Sequence, residues 1–120
     1  MKRTINEQRI WLTERILFFC NELLDMRRAH ASDYETFCSL NYAQYTYVVC
    51  ITQIGELANR YDEEFLGMYG DIPWRDIISM RNMLVHEYHR LQLDILWETG
   101  ENDIPYIKDR FEKILSDLKN

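Results

Sequence analysis

The sequence predicts an all-α fold, an antiparallel bundle of four or five helices in a single domain over residues 1–120. In the longer segments apolar residues recur about every 3.5 positions rather than every second position, which is typical of helices and not of strands. Only four glycines and two prolines interrupt the chain, so the helices should be long and their connections short. A chain of 120 residues can enclose one hydrophobic core but not two.

The first helix is expected over residues 6–29. Its apolar face repeats every seven positions, at Ile10, Leu17 and Leu24. A short helical turn should follow, because Ser32 and Glu35 have the spacing of a capping box at a helix N-terminus.

The next long helix carries the most regular pattern in the chain. Its apolar residues alternate three and four positions apart, at Leu40, Ala43, Tyr47, Cys50, Ile54, Leu57 and Tyr61. Such a heptad pattern suits packing along a partner helix at a shallow angle. Several β-branched residues weaken the local helix propensity, but the period still favours a helix. Gly67 and Gly70 are expected to end this region.

The tripeptide Asp-Ile-Pro occurs at residues 71–73 and again at residues 103–105. An aspartate can cap a helix N-terminus and a proline costs no hydrogen bond in a first turn, so each copy predicts the start of a helix. Another short helix is expected between them, over residues 91–97. The last helix should bury the face formed by Ile104, Ile107, Phe111, Ile114 and Leu118.

The formal net charge of −6 argues against a broad nucleic-acid-binding surface, since phosphate neutralisation requires clustered lysine and arginine. Any contact with RNA would have to be local, or be completed by a second subunit.

The three cysteines, Cys20, Cys38 and Cys50, form no CxxC pair and are expected in helices as reduced side chains. The N-terminus does not have the pattern of a signal peptide, and no apolar run approaches the roughly 20 residues that span a membrane. We therefore expect a cytoplasmic protein that makes no membrane contact.

The most unusual segment runs from Arg81 to Tyr88 and places an arginine, a histidine and a tyrosine in an apolar helix. Arg81 falls within a stripe that should be buried, with Trp74, Ile77, Leu84 and Tyr88. A buried charge is costly unless it is paired. Either a carboxylate pairs with Arg81, for which Glu56 is the candidate, or the stripe lines a site that binds an anion.

On a regular helix His86 lies about 140° from Arg81 and about 160° from Tyr88, so the three groups cannot point in one direction. They could converge where the helix bends or ends near Val85, or where a two-fold dimer places two such sets across one groove. Asn82 shares a face with His86 and could orient it or bind a phosphate, or simply form a hydrogen bond between helices.

Arginine and histidine are together sufficient to cut RNA without a metal ion. His86 could take a proton from a ribose 2′-hydroxyl or give one to the leaving oxygen, and Arg81 could stabilise charge on the transition state. No metal site is expected, because the chain has neither an HExxH nor a Glu-x-x-His pattern. No cofactor is indicated.

The pattern Arg81-x4-His86-x-Tyr88 resembles the signature of HepT-like proteins in the HEPN superfamily. The likeness extends to residues 53–58 (Gln-Ile-Gly-Glu-Leu-Ala), to Ile-Pro-Trp at 72–74 and to Ile-Pro at 104–105. It covers nearly the whole chain. The resemblance implies a HEPN-like helical bundle that forms a homodimer, with the motif at a composite cleft.

HepT-like proteins are toxins regarded as metal-independent endoribonucleases, each paired with a minimal nucleotidyltransferase antitoxin that adds AMP to the motif tyrosine. The resemblance thus implies that Arg81 and His86 are catalytic and that Tyr88 accepts AMP. Asn82 and Glu56 are candidate supporting residues because of their positions on the helices. The implied partners are a second copy of the chain, the antitoxin and an RNA substrate.

Two other interpretations remain open at this point. In one, the chain is a non-enzymatic helical partner of a nucleotidyltransferase, and the cleft binds nucleotide phosphate without cutting RNA. In the other, it is a plain dimerisation bundle in which Arg81 matters only for stability.

Overall fold

The computed structural model describes residues 2–86 and 92–120, without the side chains of residues 85 and 86. This part of the chain forms seven α-helices and no strand, which confirms the predicted all-α class. The helices are α1 (Ile5–His30), α2 (Tyr34–Ser39), α3 (Asn41–Ala58), α4 (Glu63–Met68), α5 (Trp74–His86), α6 (Leu93–Glu98) and α7 (Ile104–Lys119). A π-helical segment, Thr99–Asp103, joins α6 to α7.

The long helix α1 lies antiparallel to both α3 and α7. Towards the start of α1, the hydroxyl oxygens of Thr13 and Tyr61 are 2.7 Å apart, and Tyr61 follows the end of α3. At the other end of α1, His30 packs edge-on against Tyr42 near the start of α3. The side chain of Asn6 donates to a backbone carbonyl in the last turn of α7. These contacts confirm the predicted antiparallel arrangement for the three helices.

The predicted apolar faces of α3 and α7 form the core. Buried residues of these faces are Ala43, Tyr47, Cys50, Ile54, Leu57, Tyr61, Ile104, Ile107, Phe111 and Ile114. The cysteines are unpaired, as predicted. Burial raises the pKa values of Cys20 and Cys50 to about 12, so both thiols stay protonated at neutral pH. Among the described residues, no helix has the length and apolar character needed to cross a bilayer.

The short helix α2 begins one residue later than predicted. The carboxylate of Asp33 accepts a hydrogen bond from the Thr36 N–H at 2.8 Å and caps the helix. The predicted capping box of Ser32 and Glu35 is therefore wrong. Asp33 and Thr36 have the same three-residue spacing, and the charged carboxylate suits the positive end of the helix dipole.

A further correction concerns the connection after α3, where Gly67 does not end a helix but lies within α4. The carboxylate of Asp62 caps α4 through the Phe65 N–H at 3.2 Å. The same carboxylate accepts two hydrogen bonds from Arg9 of α1, at 2.9 and 2.6 Å. The rings of Phe65 and Tyr61 stack with their centroids 4.2 Å apart, and this contact packs the short helix against the core.

The first Asp-Ile-Pro copy does not act as predicted. The carboxylate of Asp71 accepts a hydrogen bond from Arg110 of α7 at 2.7 Å, so the expected capping role of Asp71 is wrong. The Pro73 carbonyl accepts from the Ile77 N–H, which places Pro73 just before the helix rather than in its first turn. The Asp71 carboxylate therefore pairs with α7 and does not cap α5.

In the second copy Pro105 lies in the first turn of α7 as predicted, but the side chain of Asp103 makes no capping hydrogen bond. Gly100 lies in the π-helical segment that precedes α7. A Cβ at Gly100 would lie 2.8 Å from the hydroxyl oxygen of Tyr47, so this turn packs directly against a buried ring.

Candidate functional site

The motif helix α5 packs against α3, with Ile77 and Leu84 buried as its stripe predicts. The two helices approach closely at Gly55 of α3. A Cβ at Gly55 would overlap the Cβ of Arg81 and lie 3.0 Å from its Cγ and 3.2 Å from the Ile77 carbonyl oxygen. Only glycine permits this separation, so Gly55 fixes the base of the Arg81 side chain against α3.

Sequence reasoning gave Gly55 no role of its own. The available signal was a glycine inside an otherwise regular helical pattern, which often marks a close approach between backbones. That signal does not name the contacting residue.

Arg81 forms an ion pair with Glu56, the carboxylate partner that was one of the two alternatives left open by the sequence. Its Nη2 contacts the carboxylate of Glu56, one residue after Gly55, and its Nη1 donates to the Oδ1 of Asn82 over 2.6 Å. The Arg81 side chain is 29% exposed and the Glu56 side chain 42% exposed. The ion pair is therefore open to solvent on one side and is not enclosed in the core.

The guanidinium keeps unused donors. It has five N–H groups, and Glu56 and Asn82 account for two of them among the described residues. The Nε of Arg81 is buried and has no hydrogen-bond partner in the described part of the chain. Arg81 can thus bind an anion on its exposed side, although that anion must compete with the Glu56 carboxylate for positive charge.

Asn82 takes part in the site through Arg81. Its Oδ1 accepts from its neighbour on the same helix and not from another helix. Asn82 thus holds the guanidinium at Nη1, and Glu56 holds it at Nη2. Whether Asn82 also orients His86, as the sequence suggested, stays a prediction.

His86 and Tyr88 are less fully placed. The backbone of α5 is helical at both Arg81 and His86, and five residues turn a regular α-helix by about 140°. The two positions therefore face different directions within one chain. The His86 side chain and all of Tyr88 lie outside the described residues, so the roles expected of them stay predictions.

An exposed apolar face leads along the bundle to the ion pair. Its large side chains are 43–54% exposed and come from α1 and α3: Phe18, Tyr42, Tyr45 and Val49. Residues 42, 49 and 56 are seven positions apart, so Glu56 lies on the same side of α3 as this face. The outer surface of α3 is thus apolar in its first half and ends at the Glu56–Arg81 pair.

The chain matches the family described as "Ribonuclease HepT-like" over residues 14–114. It is similar to "Putative RNase MJ0125" of Methanocaldococcus jannaschii, 31% identical over 104 residues that cover 87% of this chain and 88% of that protein. It is also similar to "Probable ribonuclease HepT" of Thermococcus cleftensis, 32% identical over 81 residues, 68% of this chain and 74% of that protein. No solved structure matches the chain.

The matched range includes Gly55, the Glu56–Arg81 pair and the whole motif through Tyr88. The fold is all-α, as the resemblance implied. On this evidence the chain belongs to the HepT-like ribonuclease family.

Proposed function

We propose that this protein is a cytoplasmic endoribonuclease toxin, paired with a minimal nucleotidyltransferase antitoxin, that cuts RNA without a metal ion at a cleft shared by two copies of the chain. The observation that carries the proposal is the Arg81 guanidinium, held by Glu56 and Asn82 at a partly exposed helix seam five residues before His86. The ribonuclease names of the relatives support the choice of RNA as substrate.

The reaction is a transesterification within the RNA backbone. His86 takes the proton of a ribose 2′-hydroxyl, the 2′-oxygen attacks the adjacent phosphorus, and the bond from that phosphorus to the 5′-oxygen of the next nucleotide breaks. The His86 of the second copy gives a proton to the leaving 5′-oxygen. Arg81 stabilises the negative charge that builds up on the phosphorus centre. The products carry a 2′,3′-cyclic phosphate and a 5′-hydroxyl.

A homodimer would complete the site. One chain holds Arg81 and His86 about 140° apart around α5, so a second chain is needed to place both groups at one phosphate. The exposed face of Phe18, Tyr45 and Val49 supports this arrangement, because contiguous apolar surface of this kind commonly marks an interface. Pairing through the outer surface of α3 would bring the two Glu56–Arg81 pairs towards each other.

Regulation in this proposal acts on Tyr88. The tyrosine hydroxyl attacks the α-phosphorus of ATP on the antitoxin, AMP becomes attached and pyrophosphate leaves. Tyr88 is two residues from His86 in the sequence, so a bulky anion attached there would repel RNA phosphate and obstruct the cleft. The support for this step is the position of Tyr88 in the motif.

A second candidate is a non-enzymatic partner subunit of a nucleotidyltransferase. The observation that favours it is the Glu56 carboxylate, which already neutralises much of the Arg81 charge. In that case the cleft binds nucleotide phosphate weakly and cuts nothing.

The test is RNA cleavage in EDTA by the purified, unmodified protein, with the His86→Ala variant alongside. His30→Ala is the control for loss of a histidine, and its mass is measured by sedimentation equilibrium because His30 packs against Tyr42 of the exposed apolar face. We expect cleavage by the wild type and by His30→Ala, and none by a folded His86→Ala variant. Intact RNA in all three samples, with tRNA among the substrates, would favour the partner-subunit alternative.

A further inference from the structure

A cavity of about 180 Å³ lies where α3, α5 and the start of α7 meet. Its apolar walls are formed mainly by Ile51, Ile54, Ile77, Met80 and Ile107. A dry apolar cavity of roughly 150 Å³ can hold a molecule of benzene, so this one has room for a small organic group. Neither Arg81 nor Glu56 lines it.

Two carboxylates line the same cavity. Asp76 lies in the first turn of α5, and Asp103 ends the π-helical segment immediately before α7. Neither forms an ion pair with any residue that the structure describes. The pKa of Asp103 is raised by partial burial and, secondarily, by the negative charge of Asp76. Asp76 and Asp103 are exposed residues that line the same cavity, so two negative charges lie at the rim of one apolar space.

An apolar cavity with two carboxylates at its rim is complementary to a cationic group on an aliphatic chain. An aliphatic chain would gain from replacing water against Ile54, Ile77 and Ile107. A positive head group on that chain would lie at the rim beside Asp76 and Asp103 and form charge-assisted hydrogen bonds with them. Long basic side chains show the same behaviour, burying the stem and keeping the charged head at a polar rim.

We propose that this cavity binds an alkylammonium or alkylguanidinium group carried on a short aliphatic stem. The group could belong to a free amine or to a lysine or arginine side chain of a partner protein, since both present the same chemistry. The proposal does not depend on RNA cleavage, and its test does not measure it.

The test is an NMR titration of the isotope-labelled protein with 1-pentylamine, with neutral 1-pentanol as the probe of equal length. We expect pentylamine to shift the methyl signals of Met80, Ile54 and Ile107 and to bind at least about tenfold more tightly than pentanol, as expected for a charge-assisted contact. N-acetyl-lysine N-methylamide separates the two sources. Binding of this compound at the same methyl groups indicates a protein side chain, and binding of pentylamine alone indicates a free amine.

Matched variants decide whether the carboxylates are responsible. Asp76→Asn together with Asp103→Asn should weaken pentylamine binding about tenfold or more and leave pentanol binding unchanged. Asp109→Asn is the control, because it removes a charge of α7 that pairs with Lys113 and does not line the cavity. Thermal unfolding confirms that each variant is folded. Equal affinity for pentanol and pentylamine, or an unchanged affinity in the double variant, would overturn the proposal.

Discussion

Gly55 of α3 lies directly against the Cβ of Arg81 of α5, so the residue beside Glu56 sets the position of the motif arginine. The absence of a side chain at Gly55 lets the helices approach, and the next residue along α3 supplies the carboxylate that holds the guanidinium. At the contact between α3 and α5, Gly55 therefore sets the packing distance and the next residue, Glu56, supplies the charge that pairs with Arg81.

Replacing Gly55 with alanine should destabilise the protein. Alanine would gain up to about 1 kcal/mol of helix propensity, but overpacking against Arg81 costs typically about 1–3 kcal/mol, so we expect a net loss. Gly67→Ala is the matched control, because Gly67 lies in α4 with nothing within 4 Å of an added Cβ. That variant should gain up to about 1 kcal/mol. Urea unfolding measures both, and a change of the same sign in the two variants would contradict the close-contact account.

Glu56→Gln tests whether the ion pair orients Arg81 for catalysis. Removing the carboxylate frees the guanidinium to rotate, so kcat for RNA cleavage should fall at least about tenfold. KM should stay the same or fall, because no carboxylate then competes with the RNA phosphate. Glu14→Gln, which breaks only a surface pair with Lys119, is the control. An unchanged kcat in a folded Glu56→Gln variant would mean that the pair is purely structural.

A charge in the exposed apolar face should prevent dimer formation. Val49 is 54% exposed on α3, so Val49→Glu should fold as a monomer and lose RNA cleavage, since a buried unpaired charge at an interface is costly. Ile5→Glu is the control, since Ile5 is 65% exposed in the first turn of α1, where an acidic residue suits the helix dipole. Sedimentation equilibrium reports the mass. A dimer that survives Val49→Glu would place the interface elsewhere.

Stability in acid should depend on Asp62. Two hydrogen bonds from Arg9 lower the pKa of Asp62 from 3.8 to about 2, so the folded state holds this proton less tightly than the unfolded state. The contribution is therefore complete above about pH 4 and is lost as the pH falls towards 2. Because the Asp62 side chain is 37% exposed, it should amount to no more than about 1 kcal/mol.

The Asp62→Asn variant isolates this effect, since asparagine can still cap α4 but cannot ionise. Urea unfolding of both proteins between pH 2 and 5 should show their free energies of unfolding converging as the pH falls. A difference that stays constant over this range would show that the Arg9–Asp62 contact contributes nothing through charge.

The long helices could be predicted because their burial pattern is a local property of the sequence. The heptad spacing of α3 is enough to place Tyr47, Cys50 and Ile54 in the core. The short helix α4 was not predicted, because helices of this length depend on tertiary contacts such as the stacking of Phe65 on Tyr61.

Within the candidate site, the pairing of Arg81 with Glu56 could be suggested from local sequence patterns. Arg81 was singled out by its place in a buried stripe, and Glu56 was its candidate partner because it flanks the heptad pattern of α3. The structure pairs the two residues. The contact of Gly55 with Arg81, and the cavity that Asp76 and Asp103 both line, depend on how separate helices are placed against each other. No spacing within the sequence contains that information.

The most direct test of the central claim, that Arg81 and His86 cut RNA through the ribose 2′-hydroxyl, is an analysis of the cleavage products made in EDTA. One RNA would be compared with the same RNA carrying a single 2′-deoxyribose at the cleaved position. We expect a 2′,3′-cyclic phosphate and a 5′-hydroxyl from the first, and no cut at the modified position in the second. Cleavage at the 2′-deoxy position, or products with a 5′-phosphate, would contradict this mechanism.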